Sequence, residues 1–75
     1  METYRMSSKL REQEREYLIQ TANDVTRGAI ATTIFVDGTP AETIQCPHPQ
    51  EILPDEILNL VKSTHYEKKQ EIELL

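Results

Sequence analysis

Three residues carry side chains from which chemistry could be built. Cys46 and His48 stand one proline apart in "IQCPHPQEILP" (44–54), and His65 lies further along the chain. Cysteine with histidine is a legitimate zinc pair, and a thiol beside an imidazole is the beginning of a nucleophile. Structural zinc takes four ligands, however, and its usual signal is two close pairs. Here a third ligand could come only from His65, with a carboxylate such as Glu42 or Glu51 as the fourth. A reactive thiolate needs a helix N-terminus or a cation beside it, an oxyanion hole and a residue that orients its base. His48 is near, but the sequence displays neither of the last two. The structural reading is preferred: Cys46 as a small buried hydrophobe at a strand end, with Pro47 and Pro49 as a stiff stop behind it. His65 is read as a packing histidine hydrogen-bonded to a sheet. Cys46, His48 and His65 thus remain weak metal candidates only, no catalytic residue or cofactor is expected, and the chain reads as a non-enzyme.

Composition narrows the partners. Residues 1–28 carry five basic and five acidic side chains, whereas 29–75 carry three basic and eight acidic, for a formal net charge of −5. An acidic folded part argues against nucleic acid as partner and leaves a basic protein surface as the complementary one. No apolar run approaches the ~20 residues of a membrane span, and the N-terminal stretch lacks the apolar core of a secretory signal. With a single cysteine, these features predict a cytoplasmic protein. Both glycines are accounted for by turns, so no phosphate loop is present. Tyr4, Tyr17, Tyr66 and Phe35 lack the basic interleaving of a base-stacking platform. A chain of 75 residues buries a thin core, which self-association would supplement.

The elements that must position these residues follow from periodicity. "SSKLREQERE" (7–16) favours helix but offers only Leu10 as a large apolar residue, so 1–15 is read as a polar arm or short helix. "REYLIQTANDVTRG" (15–28) fits a strand with Tyr17, Ile19 and Thr21 on one side, followed by the Asn23-Asp24 turn and Gly28. β-branched residues fill 30–36, and Asp37-Gly38 is a type I′ hairpin dipeptide. A regular hairpin would pair Val36 with Thr39, Phe35 with Pro40, Ile34 with Ala41, Thr32 with Thr43 and Ile30 with Gln45. That register puts Ile30, Ile34 and Val36 on one face, with Ala31, Phe35, Ile44 and Cys46 on the other. Pro54, Asp55 and Glu56 then open a helix whose inner stripe runs through Ile57, Leu58, Val61, Thr64, His65, Lys68, Ile72 and Leu75.

The pattern "YLIQTAND…IATTIFVDGT…CPHP…LVKSTHYEKKQEI" resembles a group of small uncharacterised bacterial proteins of the delta-proteobacterial type. These share an aromatic-x-Val/Ile-Gln-Thr strand, an Ile-x-Thr strand ending at a glycine turn, and a histidine-bearing helix. Tyr17, Ile19, Gln20 and Thr21 would match the first element, Thr32 or Thr33 with Gly38 the second, and His65 the third. Thr64 stands where that pattern has glutamine. The resemblance favours a strand at 16–23 and implies no activity.

The expected architecture is α+β: a three-stranded antiparallel meander packed by one C-terminal helix, β-β-β-α, over a single domain at 16–75. An α-β-β-α order is the alternative. One helix covers one sheet face, so the interaction residues are sought among Ile30, Ile34, Val36, Phe35 and Ile44. The function expected is a non-enzymatic protein–protein interaction module, homodimeric, with no nucleic-acid or membrane partner. The alternatives are an acidic, antitoxin-like inhibitor that blocks a basic nucleic-acid-binding partner, and a small metal- or thiol-dependent enzyme.

Overall fold

The computed structural model describes residues 3–75. Four strands, β1 (Arg5–Glu12), β2 (Arg15–Asp24), β3 (Ala29–Val36) and β4 (Thr39–Pro47), form one antiparallel sheet in chain order, followed by helix α1 (Pro54–Glu73). The α+β class and the C-terminal helix agree with the sequence reading, but three strands was an undercount. Residues 5–12, expected in a polar arm or short helix, form β1 and pair with β2 from Arg5↔Ala22 to Glu12↔Arg15. The reason is a two-residue alternation. Tyr4, Met6, Ser8 and Leu10 turn toward the core, while Arg5, Ser7, Lys9 and Arg11 turn toward solvent. Gln13 and Glu14 close this hairpin, both at positive φ (52° and 66°), as a type I′ turn demands.

The β3–β4 hairpin departs from the expected register by one residue. Val36↔Thr39 and Phe35↔Pro40 pair as predicted, but Ile34 then faces Glu42, Thr32 faces Ile44 and Ile30 faces Cys46. Ala41 is an extra residue in β4, a β-bulge. Because strand side chains alternate, this one insertion moves Ile44 and Cys46 to the face that holds Ile30 and Ile34.

Helix α1 lies along that face and packs on β1, β2 and β3, with no packing on β4. An α-helix is ~10 Å across and strands are ~4.8 Å apart, so one helix spans little more than two strands. The core has two apolar clusters. Ile30, Ile57 and Val61 gather with Tyr4, Met6 and Ile52, and Ile19, Ile34 and Ile72 gather with Leu10, Tyr17 and Val36. Helix and β1 therefore run in the same direction, with Met6 near Val61 and Leu10 near Ile72. Among the described residues, no helix is long and apolar enough to cross a membrane.

Candidate functional site

Between the two apolar clusters lies a polar layer. Ile57, Val61 and His65 succeed one another at four-residue steps on α1, which puts the imidazole on the buried stripe. His65 is 0 % exposed, as befits a ring held from both sides. Its Nε2 lies 2.7 Å from the Ser8 hydroxyl of β1, and its Nδ1 lies 2.9 Å from the Thr21 hydroxyl of β2. Thr21 Oγ1 in turn meets Thr32 Oγ1 of β3 at 3.3 Å. The chain Ser8–His65–Thr21–Thr32 thus joins α1 to three strands. Each hydroxyl can donate or accept, so a neutral imidazole, with one N–H and one bare nitrogen, is satisfied whichever tautomer it adopts. Burial lowers the pKa of His65, and the Lys69 charge lowers it further. The Tyr66 ring and the imidazole are steeply inclined at 70°, with their centroids 6.3 Å apart.

A serine hydroxyl bonded to Nε2, with a third residue on Nδ1, has the connectivity of a nucleophilic triad. Its placement is that of a structural network. The imidazole is sealed between sheet and helix, and the residue on Nδ1 is a neutral threonine that supplies no charge to an imidazolium.

The other two candidates lie elsewhere. Cys46 is an exposed free thiol, not the buried hydrophobe expected at a strand end, because α1 does not reach β4. His48 follows the end of β4, its backbone N–H donating to the Gly28 carbonyl (3.0 Å) and its Nδ1 lying 2.8 Å from the Pro49 carbonyl oxygen. Among the described residues, no group of three His, Cys, Asp or Glu side chains is placed to hold a metal ion.

The proposed interaction residues divide between the faces. Ile30 and Ile34 are buried under α1, and Val36 packs beside Ile72. Ile44 is half-buried on the same side, in the strand the helix leaves bare. Only Phe35 lies on the opposite, open face, where its cross-strand neighbour is Leu18. Leu18 was not among the expected interaction residues, although strand alternation in 15–28 already puts it on the side opposite Ile19. Ala22 and Ala31 lie further along the open face, separated from Leu18 and Phe35 by the polar pair Gln20 and Thr33, and Arg5, Ser7, Lys9 and Arg11 line its β1 edge. A depression of about 540 Å³ opens here near the Gln13-Glu14 and Asp37-Gly38 turns. Leu18 and Phe35 contribute its apolar lining and Lys9, Arg11 and Glu16 its charges. Arg11 and Glu16 form an exposed ion pair at 3.8 Å, which solvent screens.

Two features fix the turn that borders this depression. Asp37 N–H donates to the Glu16 carbonyl at 2.8 Å, and Glu16 N–H donates to Asp37 Oδ1 at 2.9 Å. The reciprocal pair fastens the β3–β4 hairpin to the beginning of β2. Comparison with known proteins finds no family model, no curated protein and no solved structure that matches the chain.

Proposed function

We propose that the protein is a non-enzymatic interaction module that pairs with a second copy of itself through the open face of its sheet. The observation that supports this reading is the set of apolar residues on that face. Leu18, Ala22, Ala31 and Phe35 are only half-buried there, and among the described residues no element lies over them. An antiparallel sheet with one solvated face normally alternates polar residues outward, and this one breaks the alternation in its two central strands. A two-fold axis is the commonest means by which a soluble chain covers such a patch. Light scattering at rising concentration tests the reading. The expected result is a dimer for the native chain and folded monomers for Phe35→Asp and Leu18→Asp. A native chain that stays monomeric at millimolar concentration overturns it.

A second reading, the acidic inhibitor, has one observation in its favour. The outer surface of α1 collects Asp55, Glu56, Glu67, Glu71 and Glu73, all exposed. A basic protein partner would dock there, on the side of the molecule away from the open sheet face.

A further inference from the structure

The two edges of the sheet are guarded in different ways. Asn23 N–H donates to the Tyr4 carbonyl at 3.4 Å, so the backbone of Tyr4 is turned toward β2. Backbone direction alternates along a strand. Met6, Ser8, Leu10 and Glu12 therefore also bond to β2, while Arg5, Ser7, Lys9 and Arg11 present their N–H and C=O groups outward. On the far side of the sheet His48 N–H donates to the Gly28 carbonyl at 3.0 Å, and the same alternation turns Thr43, Gln45 and Pro47 outward. Pro47 has no N–H to offer, and Pro40 with the bulge at Ala41 interrupts the other end of β4. The β4 edge is closed by its geometry. The β1 edge is a full row of donors and acceptors with neither proline nor bulge, and among the described residues no strand lies beyond it.

What guards β1 is charge. Toward the Gln13-Glu14 turn Arg11 is offset by Glu16, but Arg5 and Lys9 are exposed and hold no ion pair among the described residues. The chain as a whole is acidic, at −5, yet its open edge carries free positive charge. Cations along an edge repel a second edge of the same kind, which keeps two copies from pairing there. They attract an acidic strand, because opposite charges directly across a ladder stabilise it. The helix supplies the other half of the fit. It packs on β1 and leaves β4 bare, so a strand laid beside β1 has the flank of α1 over one of its faces.

We infer that the β1 edge is a docking site for an extended acidic segment of a partner protein, which joins the sheet as a fifth strand. Its backbone bonds to the outward groups of Arg5, Ser7, Lys9 and Arg11. Its carboxylates, at alternate positions, stand on the open-face side opposite Arg5 and Lys9, and the apolar residues between them turn toward α1. The inference does not rest on the open-face dimer, because the added strand lies in the plane of the sheet rather than over it.

A short peptide of alternating glutamate and valine, added to the full chain, tests it, with a lysine–valine peptide as the control. The expected result is slower hydrogen exchange at the Ser7 and Lys9 N–H groups with the glutamate peptide and no change with the lysine peptide. Arg5→Glu with Lys9→Glu should weaken binding roughly tenfold or more. Ser7→Pro removes one outward donor and no bond to β2, so it should weaken binding as much with every charge in place. Circular dichroism checks that both variants fold, and the exchange readings on the native chain decide the question if either does not. Binding that leaves those amides unprotected, or that survives Ser7→Pro in a folded chain, is plain charge attraction and overturns the inference. Equal binding of the lysine peptide, or no binding of the glutamate peptide at millimolar concentration, overturns it too. If the same amides are already protected without peptide, a second copy occupies the edge and the inference falls. None of these outcomes bears on the open-face dimer, which Phe35→Asp reads separately.

Discussion

The hydroxyl of Ser8 lies 2.7 Å from Nε2 of His65, so the outermost strand on one side of the sheet is fastened to the helix by a side-chain hydrogen bond. The Thr21 and Thr32 hydroxyls continue the same chain across the core, while the buried Asn23 side chain accepts from the Tyr4 N–H at the far end of β2. The network sets the height of α1 along the sheet. Sliding the helix by one turn would pull the imidazole from both hydroxyls and bury it unpaired, at a cost of ~1–3 kcal/mol for each lost partner.

Replacement of one partner should hurt more than replacement of two. Thr21→Val keeps the volume but strips Nδ1 of its hydroxyl, and a loss of ~1–3 kcal/mol is expected in urea unfolding. The pair Thr21→Val with His65→Leu removes both polar groups and should destabilise less than the sum of the single changes. Strict additivity in this double-mutant cycle would show that the two groups are not coupled.

Stability should depend on pH through His65. Its pKa in the folded protein lies below the ordinary 6.5, through burial first and Lys69 second. Above pH 6.5 both states hold the ring neutral and its full contribution is present. As pH falls below 6.5 the unfolded chain takes up the proton first, so stability drops until the folded ring also protonates. The melting temperature of the native chain should fall from pH 7 toward pH 5. In His65→Leu that part of the fall should vanish, whereas His48→Gln should leave it intact.

Cys46 offers a contrast. Its side chain is exposed on a strand the helix does not cover, so Cys46→Ser should change stability by less than about 0.5 kcal/mol. A loss of several times that size would mean that the thiol is packed.

The two hairpin turns should respond in opposite directions. Gly38 sits at φ +85° with open space where a Cβ would point, so Gly38→Val pays only for the backbone, about 1–3 kcal/mol. Asp37→Asn keeps an oxygen for the Glu16 N–H and tolerates positive φ, so it should be nearly silent. At the first turn, Gln13→Asn with Glu14→Gly supplies the residues that a type I′ geometry favours. Thermal melting should rise by several degrees, on the order of 4–8 °C per kcal/mol for a domain of this size.

Those turns also show what the sequence could reveal. The Asp37-Gly38 hairpin was legible because its residues relieve the strain their conformation imposes. Gln13 and Glu14 adopt the same conformation without that relief, so the first turn left no mark. Without a turn signal, "SSKLREQERE" (7–16) shows only a helix-favouring composition with Leu10 as its one large apolar residue, and the alternation of Met6, Ser8 and Leu10 is too weakly apolar to announce a strand. The Ser8 partner of His65 was hidden for the same reason, although the burial of His65 followed from its place on the helix stripe. The bulge at Ala41 was illegible in a different way. It inserts one small residue among others equally at home in a strand, and no composition signal marks an insertion of one.

The order of strands in the sheet is the order of strands in the chain, and the helix comes after all of them. During synthesis each hairpin can therefore zip as soon as it leaves the ribosome, on the microsecond scale of local pairing. The cover for the sheet arrives last. Until Val61, His65 and Ile72 emerge, a ribosome adding ~5–20 residues per second holds out a meander with Ile19, Ile30 and Ile34 bare for seconds. The nascent chain thus passes through an interval in which the core face of the sheet is bare, and its length is set by translation rather than by folding.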